Sequence, residues 1–233
     1  MGNNNKLFYD KHYTLYNYIY SHCLHSNSNS ILCKEIKVID LMPNRLDKYS
    51  QTNNGLRPFS ACFATSITEG LDARKYILDQ LIKFAANVGT KQPEDGLGWF
   101  LDTDEEVRAN WRKWHPYDLS IEPYLWGDCM VFAVNKLFNF NTAVFVPDLT
   151  FNKCVSYIER GIPVCFSGRY EGIAGHYVVV IGWDSEKKEL IIDDPYGNTL
   201  AFGNKANGTD GFHIRYSRED FDRVSKNYGV RIE

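Results

Sequence analysis

The chain of 233 residues is 44% hydrophobic and 24% charged, with a net charge of -3 at pH 7, a balance that favours neither a disordered nor a membrane class. Its 26 lysines and arginines are spread along the sequence rather than gathered in a stripe, so nucleic acid is not an expected partner. No window approaches the roughly 18–20 apolar residues that span a bilayer, and the opening MGNNNKLFYDKHY lacks an apolar signal region; a cytoplasmic protein without a membrane span is expected.

Residues 1–35 are dense in Tyr, Asn, Ser and His and read as an N-terminal extension ahead of one domain over 36–233. Ile36–Leu41 alternates apolar and polar positions like a half-buried strand, and the turn-rich loop MPNRLDKYSQTNNGLRP follows. From Cys62 to Val88 apolar residues recur at helical spacing (Phe63, Ile67, Leu71, Ile77, Leu78, Leu81, Ile82, Phe84), interrupted only by Gly70. This predicts a long buried helix starting near Cys62. The stretch 88–148 reads as a helical insertion, with a loop at GTKQPEDGLG, a helix around Asp104–Trp114 and an apolar segment at Cys129–Phe140.

LTFNKCVSYIERG then has a helical period ending at Gly161. The runs PVCFSG, HYVVVIGW and ELIIDD read as short buried strands, and TLAF and FHIRYS as further ones. SREDFDRVSK opens with a serine cap followed by acidic residues, the signature of a helix start. The organisation is therefore an α half followed by a β half.

Four residues in this frame fit the cleavage of amide bonds, which needs a soft nucleophile, a base, a group that orients the base, and an oxyanion donor. Cys62 stands where the polar loop meets the long helix, and the amide dipoles of a helix N-terminus stabilise a thiolate. His176 sits at the mouth of the apolar run HYVVVIGW, behind the small residues Ala174 and Gly175. Asp194, 18 residues later in IIDDPYGN, returns to the same sheet end if the two strands are antiparallel neighbours. Gln51 lies eleven positions before Cys62 and carries an amide that could donate to an oxyanion beside the Cys62 N–H. Singly, each has a plainer explanation: a buried helix cysteine, a satisfied boundary histidine, an ordinary Asp-Pro turn, a solvated glutamine. Their order is what singles them out.

Other clusters are weaker. His22, Cys23, His25 and Cys33 match none of the usual zinc spacings, and no metal or cofactor is expected. Cys129, Cys154 and Cys165 sit inside apolar segments as core filling, with Cys129 in WGDCMVF the nearest rival nucleophile. Six cysteines without a framework spacing are expected to be free thiols. Trp99, Trp111, Trp114, Tyr117, Tyr124 and Trp126 concentrate in the insertion and are expected to pack it. His115 and His213 read as surface or boundary residues.

The segments S-Q-T-N-N, A-C-F-A-T-S at a helix start, G-I-P-V, G-H-Y-V-V-V-I-G-W-D and D-D-P-Y-G, in this order over residues 49–202, resemble the bacteriocin-processing (double-glycine leader) peptidases and their stand-alone relatives within the papain-like superfamily. The resemblance implies an α+β papain-like fold, with the Cys62 helix packed on a mainly antiparallel sheet. It also implies Cys62 as nucleophile, His176 as general base, Asp194 rather than Asp193 as the orienting acid, because the acid directly precedes proline, and Gln51 as oxyanion donor. Relatives often carry Gly-Pro or Asn-Val after the cysteine where this chain has Phe63 and Ala64, and the 88–148 segment is longer than usual; both bear on substrate choice. Stand-alone relatives include phage cell-wall lysins, which can leave the cell through a separate pore, so the expected partner is a peptide or a peptidoglycan peptide. A catalytically silent peptide-binding module is the alternative of a different class.

Overall fold

The computed structural model describes residues 37–43, 50–53, 62–74, 103–114, 127–138, 142–206, 208 and 210–233, with single positions at 87, 89, 97 and 100. All belong to one unit, Lys37–Glu233; the N-terminal extension, with His22, Cys23, His25 and Cys33, lies outside the described residues.

A single antiparallel sheet organises the described chain. Its strands are β1 (Val38–Asp40), β2 (Ala143–Val146), β3 (Val164–Tyr170), β4 (Ile173–Asp184), β5 (Glu189–Asp193), β6 (Ile214–Tyr216) and β7 (Ser225–Ile232). They lie in the order β2-β7-β3-β4-β5-β6, and β1 pairs with the far end of β4, setting Val38 against Asp184. The long central strand β4 runs Val178, Val179, Val180, Ile181, all fully buried. A continuous apolar run is what a strand needs when both of its faces are covered.

Alternation along the strands sorts the core into two layers. Tyr177, Val179 and Ile181 share one layer with Cys165, Ile191, Val230 and Ile232, under helices α1 (Cys62–Ala73) and α3 (Gly127–Phe138). Val178 and Val180 share the other with Phe166, Ile192, Tyr216 and Phe221, under α4 (Phe151–Glu159) and α6 (Arg218–Val224). Between α1 and α3 in sequence lies α2 (Glu105–Trp114), which starts after Asp104, whose carboxylate accepts from the Glu106 and Val107 N–H groups. Gly70, the one break in the apolar period of α1, marks a close approach: a Cβ there would stand 3.0 Å from Ile232 Cγ1 and 3.7 Å from Cys165 Sγ. An alanine there would make the Ile232 side chain give by a few tenths of an ångström, so the helix lies close on the sheet.

The helix ends follow the local signals. Thr150 caps α4 by accepting from the Lys153 N–H, and Gly161, at φ 71, closes it. Ser217 and Asp220 form the reciprocal box that starts α6.

Four expectations change. TLAF is not a strand but the short helix α5 (Thr199–Phe202), capped by Asn198. The cysteine helix ends at Ala73, with Arg74 in a turn, and the rest of the run toward Val88 lies outside the described residues apart from residue 87. The insertion is not purely helical, because β2 lies within it. The last helix stops at Val224, and SKNYGVRI becomes β7, paired on both sides by β2 and β3.

Candidate active site

Cys62 is the first residue of α1, and its side chain is 8% exposed. The next residue fastens the helix beside it: Phe63 stacks on Tyr177 with ring centroids 3.8 Å apart and planes 11° from parallel. One turn on, Ser66 Oγ donates to the Tyr177 carbonyl at 3.0 Å. Both contacts land on the residue after His176, so the packing of α1 sets the distance between thiol and imidazole.

His176 faces Gly168 of β3 across the ladder, and the preceding Gly175 is exposed, so the histidine stands at the rim of an otherwise buried strand. Its neighbour arrives by register. Val179 opposes Asp193 in β5, and one step further sets Asp194 beside Val178, two residues from His176 on the same face. His176 Nε2 lies 2.6 Å from Asp194 Oδ1. The same imidazole hydrogen-bonds Cys62, which leaves Nδ1 as the nitrogen facing sulfur. Burial by itself pushes the imidazole pKa down; the charge and hydrogen bond of Asp194, with the hydrogen bond of Cys62, outweigh it and raise the pKa from 6.5 to about 10. A protonated ring between a carboxylate and a sulfur is the favoured arrangement.

Asp194 is fully buried and accepts four hydrogen bonds. Oδ1 takes His176 and the Tyr196 N–H at 2.9 Å. Oδ2 takes the Thr199 N–H at 3.1 Å and the Thr199 hydroxyl. The Asp-Pro-Tyr-Gly turn makes this possible: Gly197, at φ 97, donates back to the Asp194 carbonyl at 3.2 Å and brings Thr199 under the carboxylate. The Asp194 N–H is held in turn by the Gly211 carbonyl at 2.7 Å.

Gln51 opens a short 3₁₀ turn and is 2% exposed, so it is a buried residue rather than a solvated one. Its N–H donates to the Pro195 carbonyl at 2.9 Å, and Ser50 Oγ reaches the same oxygen at 3.4 Å. The loop before α1 is therefore tied to the residue that follows Asp194.

The remaining candidates separate from this group. Asp193 Oδ1 accepts the His213 N–H at 2.9 Å, and His213 Nε2 lies 3.4 Å from Asp40 Oδ2. Cys129, Cys154 and Cys165 are free thiols with no exposed surface. Burial pushes the Cys154 and Cys165 thiols up, and Cys165 donates to the Ser66 carbonyl at 3.1 Å. Among the described residues no group of three or more His, Cys, Asp or Glu is placed to hold a metal, and no helix is long and apolar enough to cross a membrane. His115, Trp99, Tyr117, Tyr124 and Trp126 lie outside the described residues, as do the side chains of Trp111 and Trp114.

Residues not singled out by the sequence surround the histidine. The Tyr170 and Tyr196 rings meet His176 edge-on at centroid distances of 5.6 and 6.2 Å, and Thr199 sits beneath Asp194. Reading TLAF as a strand hid Thr199; its signal was the Asn198 cap directly after the Gly197 turn.

A family model for the Peptidase C39-like family matches residues 45–221. The crystal structure of a Bacillus anthracis protein assigned as a C39-like peptidase superposes with a TM-score of 0.50 at 15% identity, covering 84% of this chain and 97% of that one. Xylellain, a cysteine protease from Xylella fastidiosa, superposes less closely, with a TM-score of 0.40 at 16% identity over 84% of this chain and 85% of that one. A comparison with curated proteins finds no match.

Proposed function

Since the chain belongs to the Peptidase C39-like family and is a papain-like cysteine peptidase, we propose that Cys62, His176 and Asp194 are its catalytic triad and that Gln51 serves the oxyanion. The observation that carries this reading is the single imidazole bonded at once to Asp194, at 2.6 Å, and to Cys62. In the proposed cycle the proton rests on His176 and the Cys62 thiolate attacks the substrate carbonyl carbon, forming a C–S bond. The negative charge moves to the carbonyl oxygen, where the Cys62 N–H and the Gln51 side-chain amide receive it. The tetrahedral adduct collapses, the C–N bond breaks, and the departing amine takes the proton from His176. Water then attacks the thioester and gives its proton back to His176, the C–S bond breaks, and the acid leaves. Asp194 keeps its charge throughout and fixes the ring.

The fully satisfied carboxylate supports an active site over a silent binding module, because burying an ionised group costs several kcal/mol unless it is paired, and here its pairing is aimed at the histidine. The test is a digest of a random peptide library and of bacterial wall peptidoglycan by the purified protein, with Cys62→Ala alongside. New amino termini that are absent with Cys62→Ala support the reading, and release of wall peptides would name peptidoglycan as substrate. Cleavage that survives Cys62→Ala, or no cleavage of either material, contradicts it.

A further inference from the structure

Both hydrogen bonds that Asp194 Oδ2 accepts come from one residue, Thr199. That residue is 1% exposed, so its hydroxyl has no water to satisfy it and must be used inside the protein. The single proton of that hydroxyl is committed to Asp194, and the buried Tyr216 hydroxyl donates to that of Tyr170 at 3.3 Å. Tyr170 in turn meets the His176 ring edge-on.

We propose that Thr199 is a positioning residue of the peptidase: its hydroxyl holds Oδ2 so that Oδ1 stays turned toward His176 Nε2. This rests on the triad reading above. A carboxylate with only Oδ1 engaged can rotate about its Cβ–Cγ bond, because that torsion is soft. The second oxygen is fixed by a backbone N–H that any residue would supply and by a hydroxyl that only threonine or serine supplies here. Valine keeps the shape of threonine and puts a methyl group where the hydroxyl was.

The experiment reads His176 through the alkylation of Cys62, which needs no substrate. The rate with iodoacetate, an anion drawn to the imidazolium, is compared with the neutral iodoacetamide from pH 5 to pH 11. It is run on the full chain and on Thr199→Val, Thr199→Ser and Asp194→Ala. The wild type is expected to prefer iodoacetate until His176 loses its proton near pH 10. Thr199→Val is expected to bring that upper limb down by about one pH unit and to cut the preference about 5- to 10-fold, as a freed carboxylate turns from the ring. Thr199→Ser should restore both to within about 2-fold. A wild-type profile in Thr199→Val, or equal impairment in the valine and serine variants, overturns the proposal and leaves the triad standing. A wild-type profile in Asp194→Ala overturns the triad reading and the proposal with it. Should Thr199→Val fail to fold, Thr199→Ala takes its place: a downward shift of the limb supports the proposal, and an unmoved limb overturns it.

Discussion

The two faces of the sheet hold their contributions to the site by different physics. On the α1 face the grip is mainly apolar: Phe63 on Tyr177, Ile67 and Leu71 in the core, and a glycine that lets the helix settle against Ile232. Around His176 and Asp194 the grip is polar and directional, with every oxygen of the carboxylate assigned to a donor. Apolar packing is tolerant in direction and costly to remove, whereas a hydrogen-bonded carboxylate is exacting in direction. Damage to the first face should appear as lost stability, and damage to the second as lost activity in a protein that still folds.

The largest effect expected is on chemistry. Cys62→Ala or His176→Ala should lower peptide hydrolysis about 10⁴-fold or more, with unfolding by urea checking that each variant still folds. Next, Phe63→Ala should cost about 3–5 kcal/mol of stability by emptying the contact with Tyr177, measured as a lower urea midpoint at unchanged slope. If instead the fold holds and only activity falls, the division between the faces is wrong. Gln51→Ala should lower kcat about 10²- to 10³-fold with little change in KM; a change in KM alone would remove Gln51 from the oxyanion. A pH titration sharpens the polar side. The pKa of His176 is raised on folding, from 6.5 to about 10, so its contribution to stability is complete below about pH 6.5 and is lost as pH rises toward about 10. Denaturation series across that window should show the decline in the wild type and a flatter curve in His176→Ala. The smallest effect is that of Ser66→Ala, about 1 kcal/mol for the lost bond to the Tyr177 carbonyl, read by the same urea series.

The sequence made the central strands easy to read, for reasons visible in the fold. PVCFSG, HYVVVIGW and ELIIDD are buried on both faces, so their apolar runs are continuous and need no knowledge of partners. The capped helices α4 and α6 were legible because their signals are local, in Thr150, Gly161, Ser217 and Asp220. What stayed hidden depends on distant neighbours. The strand β7, with polar Ser225, Lys226 and Asn227 at its start, is a strand because β2 and β3 flank it. Thr199 has meaning only once the turn at Gly197 folds it under Asp194. For the proposed site, the resemblance favoured Asp194 over its neighbour Asp193 by the proline that follows, and it is Asp194 that lies against the imidazole while Asp193 accepts the His213 N–H. The phenols of Tyr170 and Tyr216 carry no motif, since their value lies in contacts 46 residues apart along the chain.

The central claim is that one buried imidazole links Cys62 to Asp194 and makes that thiol, of all those in the chain, the reactive one. Intact-mass and peptide-mapping analysis of the protein treated at neutral pH with a peptide-mimicking, thiol-directed inhibitor tests it most directly. One equivalent of label on Cys62, formed at least about 10²-fold more slowly in His176→Ala, is the predicted result. Label distributed over other cysteines, or Cys62 labelled equally fast without His176, would contradict it.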